Sequence, residues 1–346
     1  MKRQVVFALL LIVALLVSAC APATPQVIEK IVEKTVVVEK PVEKTVIVEK
    51  EKVVTKEVEK QVVVTATPVP KGGKLTYGLT LVVSNIDPHS GSSSELGIFL
   101  TSVYDPLVWR DQTGKYYPGL AKKWEISPDG KVYTFYLRDD VKFHDGEPFN
   151  AEAVKANFDR IMDPALKSQK AIFMMGPYEK TEVVDKTTVK VYFKEPYAPF
   201  LDSVSQVYLA MASPKALKEG GIDKYREKQV GTGPFIFKEF VAKERITLVK
   251  NPNYNWAPEF MQHKGPAYLD EIVFRFYPDA ATRAPALESG EAQIMGEIPP
   301  IDATRLMSDA RFQIINVPIP GQSLQFFMNT KNPPLDDLKV RQAMIY

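Results

Sequence analysis

Groups capable of covalent or metal chemistry are sparse in this sequence. One cysteine, Cys20, and three histidines, His89, His144 and His263, are scattered over 346 residues. A transition-metal site draws on clustered Cys, His or carboxylate ligands, so no metal and no other cofactor is expected. A single cysteine also leaves no partner for a disulfide within the chain. Asp139 and Asp140 are adjacent carboxylates. Neighbours in a strand point to opposite faces, so they do not form an acid–base pair. The run Gly231-Thr-Gly-Pro lacks the Lys-Ser/Thr ending of a phosphate loop and reads as a tight backbone turn. There is no Gly-x-Ser-x-Gly elbow and no His-Glu-x-x-His pair. The pattern fits a protein that binds, not an enzyme.

Cys20 has a different chemistry available. Lys2 and Arg3 precede an apolar run from Val5 to Val17, about 13 residues, where a bilayer span takes about 20. Ser18 and Ala19 then lead into Cys20. Small residues let a peptidase groove reach the backbone, and the thiol can take a diacylglycerol. The segment resembles the bacterial lipobox, so residues 1–20 are expected to be a lipoprotein signal peptide, with Cys20 the lipidation site and membrane anchor. Residues 21–70 read as a spacer. Val-Glu-Lys recurs at 32–34, 38–40, 42–44, 48–50 and 58–60, in no sustained heptad and with no aromatic residue to build a core. β-Branched residues favour an extended chain, which over about 50 residues reaches on the order of 150 Å.

From Lys71 onward the chain has the composition of a folded domain: 45% apolar and 25% charged residues overall, with net charge +2. That balance gives no sign of a nucleic-acid partner. Strands are predicted at 75–83, 124–126 and 132–137, the latter two joined through Pro128-Asp-Gly130. Further strands are predicted at 188–193, 235–240, 245–250, 271–277, 312–317 and 324–329. A helix over 94–104 carries Leu96, Leu100 and Val103, and one capped by Asn150 carries Val154, Phe158 and Ile161, both at i, i+4, i+7. Ser213-Pro214 starts a helix that Gly220 can end, and Asp279 caps another ending near Gly290. Asp336 is expected to cap a last helix. Interleaved strands and helices make the class α/β.

The stretch from Leu120 to Val154 resembles the signature of extracellular solute-binding proteins of family 5, the dipeptide-, oligopeptide- and nickel-binding proteins. It carries Leu120-Ala-Lys-Lys-Trp124, Ser127-Pro-Asp-Gly130, Tyr133-Thr-Phe-Tyr-Leu-Arg138, Val141-Lys-Phe-His-Asp-Gly146 and Pro148-Phe-Asn-Ala-Glu-Ala-Val154. Gly231-Thr-Gly-Pro-Phe235, Asn251-Pro-Asn-Tyr254, Leu269-Asp-Glu-Ile272, Pro278-Asp-Ala280, Ala286-Leu-Glu-Ser-Gly-Glu291, Pro334-Leu-Asp-Asp337 and Val340-Arg-Gln-Ala343 follow in order. Gln293 stands where the family often has Asp, and Leu335 where it often has Phe. Most of these residues read as scaffold: His144 as a hydrogen-bonded turn residue, Trp124 and Phe135 as core.

The resemblance implies a type II periplasmic-binding-protein-like fold of two lobes that close on a ligand. On that basis residues 71–328 are the first lobe and 329–346 the start of the crossing into a second, with family chains continuing well past Tyr346. In peptide-binding relatives the charged groups that hold the peptide termini come largely from the second lobe. Within this sequence the resemblance points to Ser93, Ser94 and Glu95, in the loop after the first strand, and to Phe173 and Tyr208 as cleft-lining ligand contacts. Nickel-type members use an arginine in the segment resembling 199–214, and none is present there.

The implied role is the extracytoplasmic substrate-binding subunit of an ABC importer, working with a permease and an ATPase on a dipeptide or oligopeptide ligand. It would be held by its lipid anchor in the periplasmic space or at the outer face of the cytoplasmic membrane. The repeat spacer also suits a surface or adhesion lipoprotein, and the α/β class a secreted hydrolase. A ligand-dependent melting shift separates the first reading from the second, and a hydrolysis assay tests the third.

Overall fold

The computed structural model describes residues 71–317 and 325–345. The apolar leader, Cys20 and the repeat spacer lie outside them. β1 (Lys74–Leu79) begins the described chain and stops four residues before the predicted end. The cause is a contact distant in sequence: the next two backbone N–H groups, of Thr80 and Leu81, donate to the Glu95 carboxylate. α1 (Leu96–Leu100) is shorter than the predicted 94–104 but buries the predicted residues, with Val103 just beyond it. β2 (Val108–Arg110) and β3 (Tyr116–Pro118) form a hairpin that the sequence reading lacked. Its turn is closed by Asp111, whose side chain accepts from the Thr113 and Lys115 N–H groups.

β4 (Ala121–Ile126) and β5 (Val132–Leu137) pair as expected, with Trp124 opposite Phe135. Ser127 donates to Asp129 in the connecting turn, and Gly130 supplies its positive φ of 68°. Asn150 caps α2 (Ala151–Met162) by accepting from the Ala153 N–H, and Val154, Phe158 and Ile161 are all buried. A short α3 (Lys170–Met175) leads into β6 (Tyr178–Asp185) and β7 (Thr188–Phe193), which complete an antiparallel sheet of order β4-β5-β7-β6. After α4 (Phe200–Ser203), Ser213 caps α5 (Pro214–Lys224). The backbone leaves the helical region at Gly221, next to the predicted stop.

β8 (Phe235–Val241), β9 (Arg245–Lys250) and β10 (Glu271–Phe276) follow. Asp279 caps a single 3-10 turn ahead of α6 (Arg283–Glu288), and β11 (Ile294–Met295) closes a second sheet of order β11-β1-β10-β9-β8. In that sheet β1 runs parallel to both β10 and β11, so three strands have their carboxyl ends on the same side. α7 (Pro300–Leu306) and α8 (Leu338–Ala343) complete the described helices. Two expectations need correction here. Residues 312–317 and 325–329 contain no strand: among the described residues no strand pairs with them, and several of their apolar side chains, such as Phe327 at 91% exposure, are exposed. The last helix is capped by Asp337, which accepts from the Lys339 N–H, and not by Asp336.

Three of the sequence blocks that carry the family resemblance, at 141–146, 231–235 and 251–254, meet in one hydrogen-bonded knot. Asp105 is fully buried and accepts from the Thr232 hydroxyl (2.8 Å), the Tyr254 hydroxyl (3.0 Å) and the Trp256 indole N–H (2.9 Å). Burial pushes its carboxyl above the usual range, against the opposing pull of those three donors. Gly233 O accepts from both His144 Nε2 and Asn251 Nδ2, each at 3.0 Å, and the His144 N–H donates to Gly231 O. His144 thus takes its predicted place in a turn. Gly231 and Gly233 are required by closeness, not by a left-handed turn. A Cβ on Gly231 would sit 2.1 Å from the Val103 carbonyl oxygen, and one on Gly233 2.6 Å from the Val103 carbonyl carbon.

Candidate functional site

The loop from β1 to α1 has no regular structure, so its shape is set by side chains. Arg160, near the end of α2, makes a two-pronged pair with Asp87 at 3.1 and 2.5 Å. Its guanidinium can only donate, so His89 Nδ1, 2.9 Å away, accepts; Nε2 then carries the proton and donates to Ala210 O at 2.8 Å. Burial, reinforced by the Arg160 charge, lowers the His89 pKa to about 4. Burial also pushes Asp87 up, but the Arg160 hydrogen bonds and the neighbouring charges outweigh it and leave the carboxyl below its ordinary value. The same histidine's carbonyl accepts from Ser168 Oγ, which in turn accepts from the Ile172 N–H and so positions α3. The loop, α2, α3 and the turn Val207–Leu209 are thereby locked together.

On this frame the sequence-predicted residues converge in part. The Tyr208 hydroxyl donates to Ser93 O at 2.8 Å, and the Glu95 N–H to Ser93 Oγ at 3.3 Å. Lys170 Nζ stands 3.8 Å from the centre of the Tyr208 ring, a cation–π contact. Phe173 lies one turn further along α3 and is 83% exposed. Ser94 is exposed, at the start of the turn into α1, and makes no side-chain hydrogen bond among the described residues. Tyr208 itself is buried, beneath the Lys170 ammonium.

Glu95 is the unusual member. Its residue exposure is 5%. Oε1 accepts from the Thr80 N–H (3.1 Å), the Thr80 hydroxyl (2.6 Å) and the Leu81 N–H (3.2 Å). Oε2 is buried and has no hydrogen-bond partner. These contacts place the carboxylate at the carboxyl end of β1. Beside it, at the carboxyl ends of β10 and β11, the buried Arg283 guanidinium donates to Tyr277 O, Pro278 O and Glu297 O. Glu297 has φ 45°, a conformation that L side chains rarely adopt. In open α/β sheets, ligands bind outside the carboxyl ends of strands. Thr80, Lys170, Arg160 and Arg283 escaped the sequence reading, since the first three gain their roles from partners well separated in sequence, Glu95, Tyr208 and Asp87, and Arg283 from carbonyls just beyond the ends of two strands.

A separate open recess of about 480 Å³ lies on the outer face of the second sheet, lined by Lys74, Glu239, Arg245, Glu271, Arg275 and Glu291 among others. Its charges pair within the recess, Arg245 with Glu239, Arg275 with Glu291 and Lys74 with Glu271. It contains none of the residues above. Among the described residues no three His, Cys, Asp or Glu side chains come together as cation ligands.

Residues 115–346 match the family model of bacterial extracellular solute-binding proteins, family 5 Middle. The glutathione-binding protein GsiB of Escherichia coli K12 is 35% identical over 265 residues, covering 76% of this chain and 49% of GsiB. Among solved structures, the periplasmic binding protein DppA of Helicobacter pylori in complex with the peptide STSA superposes with a TM-score of 0.61 at 32% identity, over 70% of this chain and 50% of DppA. NikZ of Campylobacter jejuni with Ni(L-His) gives a TM-score of 0.66 at 25% identity, over 79% of this chain and 52% of NikZ. The fold is therefore type II periplasmic-binding-protein-like and mixed α/β. The chain spans about half the length of the curated relatives it matches.

Proposed function

The chain belongs to the bacterial extracellular solute-binding proteins of family 5, and from that premise we propose that it is the substrate-binding part of an ABC importer that captures peptide-class solutes outside the cytoplasm and passes them to a permease driven by an ATPase. The observation that carries the reading is the junction of Ser93, Tyr208 and Lys170 with the exposed Phe173, next to the carboxyl ends of three parallel strands. It combines an apolar face with a few fixed polar groups, the make-up of a small-molecule site. Nothing in that arrangement pairs a nucleophile with a base, in keeping with a binding role. GsiB is named for glutathione and DppA was solved with a tetrapeptide, so peptides of that size are the first solutes to test. Family 5 proteins act outside the cytoplasm, and we place this one on the membrane through a lipid on Cys20.

The test is a thermal melt and calorimetric titration of the full-length protein with glutathione, the peptide STSA and nickel–histidine. A ligand at about 100 times its Kd adds about 2.7 kcal/mol to stability, which raises the melting temperature by several degrees. Stabilisation by glutathione or STSA is expected. A protein that melts at the same temperature with all three and gives no heat of binding is not a peptide receptor, and a response to nickel–histidine alone would move it to the chelate-binding branch.

A further inference from the structure

One buried ring ties together the elements that bring Ser93, Tyr208, Lys170 and Phe173 to the solute site. His89 is fully buried. Its Nδ1 accepts from Arg160 on α2 at 2.9 Å, and its Nε2 donates to Ala210 O at 2.8 Å. Its backbone N–H donates to Asp87 Oδ1, and its carbonyl accepts from Ser168, ahead of α3. The Ala210 turn carries Tyr208, which holds Ser93, and α3 carries Lys170 and Phe173. This arrangement works only with a neutral imidazole. A guanidinium offers no acceptor, and a protonated imidazole has an N–H on both nitrogens. Protonation at Nδ1 therefore sets donor against donor and cation beside cation. The groups that face the ring supply no free counter-charge. Asp87, on the same loop, already pairs Arg160 through both oxygens. Behind Arg160 lie the Tyr225 ring, at 5.2 Å, and the Tyr104 hydroxyl bonded to it, both kept neutral by burial. The Ala210 turn presents a carbonyl, the lead into α3 presents the Ser168 hydroxyl, and α3 begins with another cation, Lys170. With Asp87 and Arg160 cancelling, a charged His89 leaves one positive charge in excess inside the fold.

We propose that His89 is a positioning residue for solute capture, a latch that is shut while its ring is neutral and opens when Nδ1 takes up a proton, releasing the solute in mild acid while the rest of the domain stays folded. This rests on the solute-binding reading above and adds a regulation to the same site. Opening takes up one proton from water, and nothing else is exchanged. The loop is free to shift: residues 81–94 belong to no strand or helix, so they can move without breaking a ladder. The direction follows from linkage. In the shut latch, burial and the Arg160 charge hold His89 at about 4, and a ring released to water returns toward the ordinary 6.5. The open form thus binds more protons between pH 6.5 and 4. The equilibrium moves toward open by up to about tenfold per pH unit across that window, and by no more below it. Above 6.5 the latch is at its firmest. His144 titrates in the same window, but it bonds to Gly231 and Gly233 and not to these elements.

The experiment measures the Kd for the peptide STSA by calorimetry from pH 7 down to pH 4.5, on the full-length wild-type protein and on His89→Asn. The asparagine amide oxygen can accept from Arg160 and does not titrate. Each protein is compared with its own value at pH 7, so a plain loss of affinity from the substitution cancels, as does titration of the peptide. Near-ultraviolet circular dichroism at each pH follows the fold. The wild type is expected to lose affinity on acidification, with a slope approaching about tenfold per pH unit and the fold intact; His89→Asn is expected to give a nearly flat profile. Equal slopes in the two proteins, or a flat wild-type profile, overturn the latch and leave the solute-binding reading standing. A loss of affinity that coincides with loss of the near-ultraviolet signal does the same, since that is unfolding and not release. If His89→Asn does not fold, nitrogen-15 NMR of the wild type decides. The proton must sit on Nε2 at pH 7, and the ring must titrate together with the backbone amides of residues 85–95. A proton on Nδ1 at pH 7, or titration that leaves those amides unmoved, overturns the proposal. Failure of the wild type to bind STSA or glutathione at pH 7 removes the peptide reading itself and this inference with it.

Discussion

Two buried histidines set how this domain should respond to acid. His89 and His144 are each held at a pKa of about 4, mainly by burial, against an ordinary value of 6.5. Both are neutral in the folded state near neutrality, and both protonate more readily once unfolded. The unfolded chain therefore binds more protons between pH 6.5 and 4, and stability falls as pH drops through that window. Above 6.5 the contribution is fully present; below about 4 no more is lost from these groups. The expected slope is about 1.4 kcal/mol per pH unit for each histidine where the difference in protonation is complete. Asp105, raised by burial, titrates with the opposite sign, so the histidine share needs its own control. His144→Gln keeps a donor for Gly233 O and removes one titrating group. Urea unfolding from pH 7 to 4 should show a shallower loss in that variant; identical slopes would mean that His144 titrates alike in the folded and unfolded protein.

At the scale of elements, the antiparallel sheet and α2 are held by one aromatic hub. Phe200, in α4, is fully buried. Its ring lies 4.7 Å from Phe193, 5.1 Å from Tyr133 and 6.1 Å from both Phe135 and Phe158, so it touches β5, β7 and α2 together. Phe200→Ala removes the ring and leaves a cavity that three elements cannot all collapse to fill. The expected loss is about 3–5 kcal/mol by urea denaturation, and Phe200→Leu should lose clearly less. A loss under about 1 kcal/mol would show that the hub repacks freely. Here the reach of the sequence can be judged element by element. Val154, Phe158 and Ile161 announced the buried face of α2, and Asn150 its cap, because helical period and capping are local properties. β6 was missed since Glu179, Lys180 and Glu182 break its apolar alternation; it is an edge strand defined by pairing with β7. Residues 312–317 show the reverse failure, alternation without a partner. The end of β1 was set by Glu95, fifteen residues further on, which no local window contains. At the site, Ser93, Glu95 and Tyr208 came from resemblance, whereas Lys170 and Thr80 were invisible until folding put them against Tyr208 and Glu95.

For the whole molecule, the proposed importer role is served by holding the receptor near its permease, and the lipobox-like segment at Cys20 offers a means of doing so. Among the described residues no helix is long and apolar enough to cross a membrane. The proposed attachment is through Cys20, in the segment that resembles a lipobox. The apolar run before Cys20 has the length of a signal-peptide core, and with its removal on export the proposed anchor is an acyl group on the thiol. Each buried methylene adds about 0.8 kcal/mol, so one chain holds weakly and two or more hold firmly. Cys20→Ala should consequently leave the domain folded and exported but shift it from the membrane pellet to the soluble extracytoplasmic fraction. A carbonate wash separates true anchoring from loose association, and labelled palmitate should mark the wild type alone. If the variant stays in the washed pellet while the label is absent from both proteins, the uncleaved leader is the anchor and the lipid assignment is wrong. If the label appears in the variant, acylation lies on another residue, since Cys20 is the chain's one thiol.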